Sequence, residues 1–152
     1  MGNGQPDEGE AQVIVSVADA AVHMFNAAIE DLPEPADPEF PSRAAVVLTG
    51  LRKLVASLTK AAERNRATPA VIISLSGVRT TYDNLMERAA EGPGSTLGQR
   101  LYVSRTRAKL TAKEAANGAG LRADLIRAIE EEEPTTEDET AAVKELIAAL
   151  GG

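Results

Sequence analysis

A chain of 152 residues that is 43% apolar is long enough to bury a core, and with aromatics at 3% that core has to come from Leu, Val, Ile and Ala, the side chains that pack helix on helix. With no cysteine, disulfides and thiolate metal sites are excluded and a cytoplasmic home is expected. A net charge of −7 repels nucleic acid at long range, so any contact with DNA has to come from a local basic face.

The opening ten residues, MGNGQPDEGE, are polar and acidic, predict a disordered tail over 1–10, and are unlike a secretion signal. No apolar run is expected to reach the ~18 residues of a membrane span, so a membrane is not expected as a partner. From Ala11 to Leu32, apolar residues at Ile14, Ala18, Ala21, Phe25, Ala28 and Leu32 alternate steps of four and three, which predicts a helix with a broad buried face. Four prolines in PEPADPEFPS (33–42) predict a loop, with Ser42 as cap of the helix that follows. That second helix repeats the spacing at Val47, Leu51, Leu54, Leu58 and Ala61. Thr68-Pro69 reads as a cap followed by proline at the first helical position of a third helix, with Val71, Leu75, Val78, Tyr82, Leu85 and Ala89 along its seam. Val71-Ile72-Ile73 keep a strand over 70–76 as the competing assignment. The expectation is a helical bundle over 11–91 that can also serve to dimerise the protein, then a GPGS hinge at 92–96.

Residues 97–152 form a separate domain on the same reading. A helix opens at Leu97 and runs to about Lys109. Thr111 with Glu114 three positions on is a capping box for a second, short helix, and Gly118-Ala-Gly120 supplies a tight turn before a third helix at Leu121. Val143, Leu146, Ile147 and Leu150 mark a last helix ending at Gly151.

Leu97, Gly98, Arg100 and Leu101, then Leu110 and Thr111, Glu114 and Ala116, Ala119, Gly120 and Leu121, and finally Ile126, Ile129 and Glu130 stand in the order and register of one known pattern. On those residues the C-terminal third resembles the Cro/repressor-type (XRE-like) helix-turn-helix family. Composition and spacing predict an all-α protein with an N-terminal three-helix bundle, and the resemblance implies a C-terminal five-helix helix-turn-helix domain. It also implies a DNA-binding transcriptional regulator, such as a repressor, acting as a homodimer on double-stranded DNA. Carried over residue by residue, Arg122, Ala123, Asp124 and Arg127 face the bases, and Arg105, Arg107, Thr111 and Lys113 face phosphate. An arginine fork can donate twice to guanine O6 and N7, and Asp124 can accept from cytosine N4. The chain departs from the family at Ala112, where glutamine is usual, and in the acidic run 130–139, which carries seven carboxylates in ten residues. Glu130, Glu131, Glu132 and Glu133 therefore also suggest an alternative: a protein-interaction module, adaptor-like or antitoxin-like, that meets a basic partner protein.

Little other chemistry is on offer. His23 is the single histidine, Gly92-Pro93-Gly94 lacks the lysine of a phosphate loop, and the acids fall in solvated runs, so no enzyme, metal or cofactor is expected.

Overall fold

The computed structural model describes residues 6–64 and 68–152, and within these the chain is all helical, with no strand: α1 (Pro6–Glu30), α2 (Phe40–Arg64), α3 (Pro69–Glu91), α4 (Leu97–Arg107), α5 (Ala112–Ala119), α6 (Leu125–Glu130) and α7 (Glu137–Ala149). The strand considered for 70–76 is helix. The expected tail over 1–10 is corrected in its second half: residues 1–5 lie outside the described part, but α1 already begins at Pro6. Proline costs nothing at the first helical position, where the N–H it lacks would have no partner. The described residues divide into two compact units, one ending at Leu85 and the other Met86–Gly152. That division falls inside α3, whereas the Gly92–Ser95 segment is an ordered turn, closed by Gly92 N–H to Ala89 O (3.3 Å) and Ser95 N–H to Gly92 O (3.1 Å).

In the first unit, α1 and α2 pack as a hairpin around the proline-rich loop. Helix α2 starts two residues before Ser42, because the Asp37 carboxylate accepts the Glu39 N–H (2.8 Å) and the Asp37 carbonyl accepts the Phe40 N–H (3.0 Å). Ser42 is thus not the cap; its hydroxyl donates back to the Glu39 carbonyl at 3.2 Å. The α2 seam buries Val47, Leu48, Leu51, Leu58 and Ala61, and the α3 seam is buried at every expected position from Val71 to Ala89. Ala11, Ala61 and Val71 join α1, α2 and α3 in one small cluster, and the Arg52 guanidinium donates to the Tyr82 hydroxyl at 3.2 Å. The Thr68 hydroxyl is buried without a hydrogen bond among the described residues, so α3 opens on Pro69 without a side-chain cap.

The face of α1 is covered less than its pattern suggests. Ala11 and Ala18 are buried, but Ile14, Ala21, Phe25 and Ala28 are only half-buried. Residues Ala11–Glu30 reach a mean hydropathy of 1.4, so by length and composition this helix, contrary to the expectation from the sequence, is apolar enough to cross a membrane.

The second unit holds four helices beyond α3, not the expected five, and residues 131–136 make a turn between α6 and α7. Its core is Leu101 from α4, Ala115 and Ala116 from α5, Leu125, Ile126 and Ile129 from α6, and Val143 and Ile147 from α7. Three capping boxes start its helices. Thr96 with Gln99 opens α4, Thr111 with Glu114 opens α5 and Thr136 with Glu139 opens α7. The ends of α4, α5, α6 and α7 share one geometry, in which a left-handed residue lets the next N–H reach back to a carbonyl five positions earlier. At α5 that residue is Gly120 (φ 69°), with Leu121 N–H on Ala116 O at 2.9 Å. At α4 and α6 the same place is taken by Lys109 (φ 61°) and Glu132 (φ 64°). Gly98 is needed for a different reason: a Cβ there would collide with the Ile129 carbonyl oxygen, a backbone atom that cannot swing aside. The start of α4 therefore lies directly on the end of α6.

Candidate nucleic-acid interface

The α5–α6 pair is held to α4 by one buried ion pair. Arg105 Nε donates to Glu130 Oε2 at 2.7 Å and Arg105 Nη2 to Glu130 Oε1 at 2.8 Å, a two-pronged contact with side chains only 12% and 8% exposed. Arg105 Nη1 donates to the Leu110 carbonyl at 2.8 Å, and the guanidinium carbon lies 5.3 Å from the Tyr102 ring centroid. Burial pushes the Glu130 carboxyl up from its ordinary range, and the Arg105 guanidinium works against that push. Arg105 is thus corrected from a phosphate-facing residue to an internal strut. Its fork is filled by Glu130 and Leu110, and Glu130 in turn drops out of the expected acidic ridge.

The remaining expected residues are exposed. Arg122, Ala123 and Asp124 lie in the turn between α5 and α6, because α6 starts at Leu125 and not at Leu121. Asp124 takes the N-cap position of α6 but makes no side-chain cap there. It instead accepts from Arg122 Nη1 at 2.7 Å, while Arg122 Nε donates to Glu139 Oε2 at 2.8 Å. Those two contacts raise the affinity of Arg122 for its proton. They also hold the Asp124 and Glu139 carboxyls below the usual carboxylate range, Glu139 helped further by the Thr136 N–H. Arg127, in α6, meets Glu131 at 3.2 Å and Glu133 at 3.5 Å. Both arginines expected at the bases therefore already grip oxygens of the chain's own acidic run.

On the phosphate side, Arg107 is 65% exposed and reaches Glu87 only at 3.4 Å. Lys113 is exposed. The Thr111 oxygen accepts the Glu114 N–H at 3.0 Å and the Glu114 carboxylate accepts the Thr111 N–H at 2.8 Å, which lowers the Glu114 carboxyl from its ordinary value. The Thr111 hydroxyl proton remains available to an outside acceptor. Between these residues stands Lys109, exposed and fixed by its left-handed backbone at the α4–α5 turn.

Besides the Arg105–Glu130 pair, two more contacts escape the sequence patterns. Glu139 holds Arg122 from 17 residues away, and Glu132 accepts from the Thr96 hydroxyl at 2.7 Å, tying the α6–α7 turn to the cap of α4. Neither pairing follows a helical or strand spacing. The acid run is thus more than a solvated face: Glu130 braces, Glu132 ties, and Glu131, Glu133 and Glu139 occupy arginines. Among the described residues, no cluster of three His, Cys, Asp or Glu side chains could hold a metal ion.

Residues 25–96 match the family MSMEG_6518_N, described as an N-terminal domain; the match takes in the C-terminal end of α1 and all of α2 and α3 and stops before α4. A protein of Mycolicibacterium smegmatis (strain ATCC 700084 / mc(2)155) whose name reads "Uncharacterized protein" is 70% identical over 129 residues, which span 85% of this chain and 100% of that protein. No solved structure matches.

Proposed function

The chain belongs to the same family as the Mycolicibacterium smegmatis protein, and from that premise we propose that it is a cytoplasmic, sequence-specific DNA-binding transcriptional regulator that works as a pair of copies. The observation that carries the reading is the α5–Gly120–α6 frame. It is braced by the buried Arg105–Glu130 pair and presents Arg122 and Arg127 as exposed guanidiniums in the turn before α6 and on α6 itself. In the Cro/repressor-type resemblance these are the base-facing positions, with Ala123 and Asp124 beside them, and Arg107, Thr111 and Lys113 meet phosphate; Lys109 joins that group here. The arginines point donors at carboxylate oxygens 2.7–3.5 Å away, and to read guanine each would have to turn its fork from these oxygens to donate to O6 and N7.

Binding then means exchange. Each arginine gives up two carboxylates and takes a base or phosphate acceptor, and the released acids repel the duplex. A single copy is accordingly weak, and two copies on paired half-sites are needed for useful affinity. The same pairing favours a second reading, in which Glu131, Glu132 and Glu133 meet a basic partner protein.

A mobility-shift experiment separates the two. The full chain is expected to retard DNA from upstream of its own gene, and unlabelled copies of that DNA should compete far better than unrelated DNA. No retardation at low salt, or equal competition by both DNAs, overturns the reading.

A further inference from the structure

The capping boxes of α4, α5 and α7 differ in what their returning side chain does besides capping. At Thr96 that side chain is Gln99, whose amide oxygen accepts the Thr96 N–H at 3.0 Å, so a neutral amide serves a box in this fold as well as a carboxylate does. At Thr111 it is Glu114, which meets no arginine among the described residues. At Thr136 it is Glu139, and there the carboxylate is divided between two partners. Oε1 accepts the Thr136 N–H at 3.1 Å, and Oε2 accepts from Arg122 Nε at 2.8 Å.

We propose that Glu139 is an autoinhibitory latch that holds the Arg122 guanidinium away from DNA in the free protein. The proposal rests on the DNA reading above and names the regulation of that same site. A glutamine at 139 would keep the cap of α7, so the fold does not call for a negative charge there. Nor does the ion pair add much to stability, since the Arg122 side chain is 45% exposed and water screens the contact. What the charge does is compete with a duplex for Arg122.

The competition is effective because the acid is already fixed. Its cap bond orients it and its side chain is only 24% exposed, so gripping Arg122 costs Glu139 little further freedom. Asp124 closes the other prong, accepting from Nη1 at 2.7 Å. Arg127 is held at longer range, 3.2 Å from Glu131 and 3.5 Å from Glu133, and neither of those acids is fixed by a cap. A molecule able to read a base with Arg122 is one in which that side chain has left both carboxylates. The affinity measured for DNA is scaled down by the fraction of molecules in that state.

Fluorescence anisotropy of the full chain on DNA from upstream of its own gene, at about 50 mM salt, tests the proposal, with thermal melts to confirm that each variant is folded. Glu139→Gln keeps the cap and removes the charge, and is expected to bind about fivefold tighter than wild type, the upper range for a surface ion pair. Glu137→Gln removes the same charge two positions earlier, where it pairs with no arginine among the described residues, and is expected to change affinity less than about twofold. In an Arg122→Ala background Glu139→Gln should do no more than Glu137→Gln, because the coupling passes through the guanidinium. Asp124→Asn frees the other prong, has no cap to lose and should also tighten binding; it carries the test should Glu139→Gln lose its fold. Equal gains from Glu139→Gln and Glu137→Gln mean that net charge alone is at work and overturn the proposal. So does a gain that persists without Arg122, and so does weaker binding by Glu139→Gln, which would make Glu139 a positioning residue for the arginine. Each of these results leaves the DNA reading standing, whereas absence of binding by wild type and variants alike overturns both.

Discussion

Replacing Arg105 by alanine is expected to lower the stability of the C-terminal unit by about 3–5 kcal/mol, the loss typical when one partner of a buried ion pair is removed. The variant leaves Glu130 buried without a counter-ion and takes the Nη1 donor away from the Leu110 carbonyl. Against a total stability of about 5–15 kcal/mol for an ordinary domain, that is enough to unfold a large share of the molecules near physiological temperature. The loss should depend on pH. Burial already raises the Glu130 carboxyl, and without Arg105 the folded-state value rises further, while the unfolded chain keeps the ordinary one. Below the ordinary carboxylate range both states hold the proton and no penalty applies. As pH climbs from there toward the raised folded value, only the unfolded state releases its proton, and stability falls. Urea titrations should therefore find the variant closer to wild type near about pH 4 than near about pH 7. Arg105→Met combined with Glu130→Leu should recover most of the loss, because it removes both charges together. An Arg105→Ala protein as stable as wild type at neutral pH contradicts the strut assignment.

The second large effect is on affinity. Arg122→Ala with Arg127→Ala is expected to weaken binding to the specific DNA by about 100-fold or more, since each guanidinium that reads a base in two-pronged fashion is worth roughly one to two orders of magnitude. Fold stability should hardly change, because both side chains are about half exposed and their partners are surface carboxylates. That separation of effects is the opposite of Arg105, which acts on stability. Affinity measured by fluorescence anisotropy, with thermal melts of the same samples, distinguishes them. Unchanged affinity in the double variant rejects these residues as base contacts, whereas loss of both affinity and fold rejects the claim that they are surface groups.

The helices were legible wherever the sequence supplied both a periodic apolar face and a terminal signal. The α3 seam is buried at each spaced position, and the capping box at Thr111 and Glu114 forms as its residue types dictate. Two equivalent boxes, at Thr96 with Gln99 and Thr136 with Glu139, carry the same S/T-x-x-E/Q signature and went unread. Gly120 announced its turn. Lys109 and Glu132 did not, because a left-handed position occupied by a charged residue leaves no compositional trace. The start of α6 lies four residues beyond Leu121, behind Asp124, whose carboxylate makes no cap there.

The site was less legible than the fold, since it depends on which charges meet in space. The spacing that placed Arg105 among the phosphate contacts gave no sign that Glu130, 25 residues on, would enclose it. Nor did the acid run show that its members divide between bracing, tying and covering arginines, because those roles are assigned by the α6–α7 turn and not by neighbours in the chain.

The central claim is that a few cationic groups prevail at contact range over a molecule with net charge −7. Salt tests it most directly. Anisotropy titrations of the full chain on its upstream DNA, repeated from about 50 to about 200 mM salt, should show affinity falling steeply and linearly on a double-logarithmic plot as phosphate-bound counterions are released. An affinity that stays flat across that range, or absence of binding even at its low end, contradicts the account.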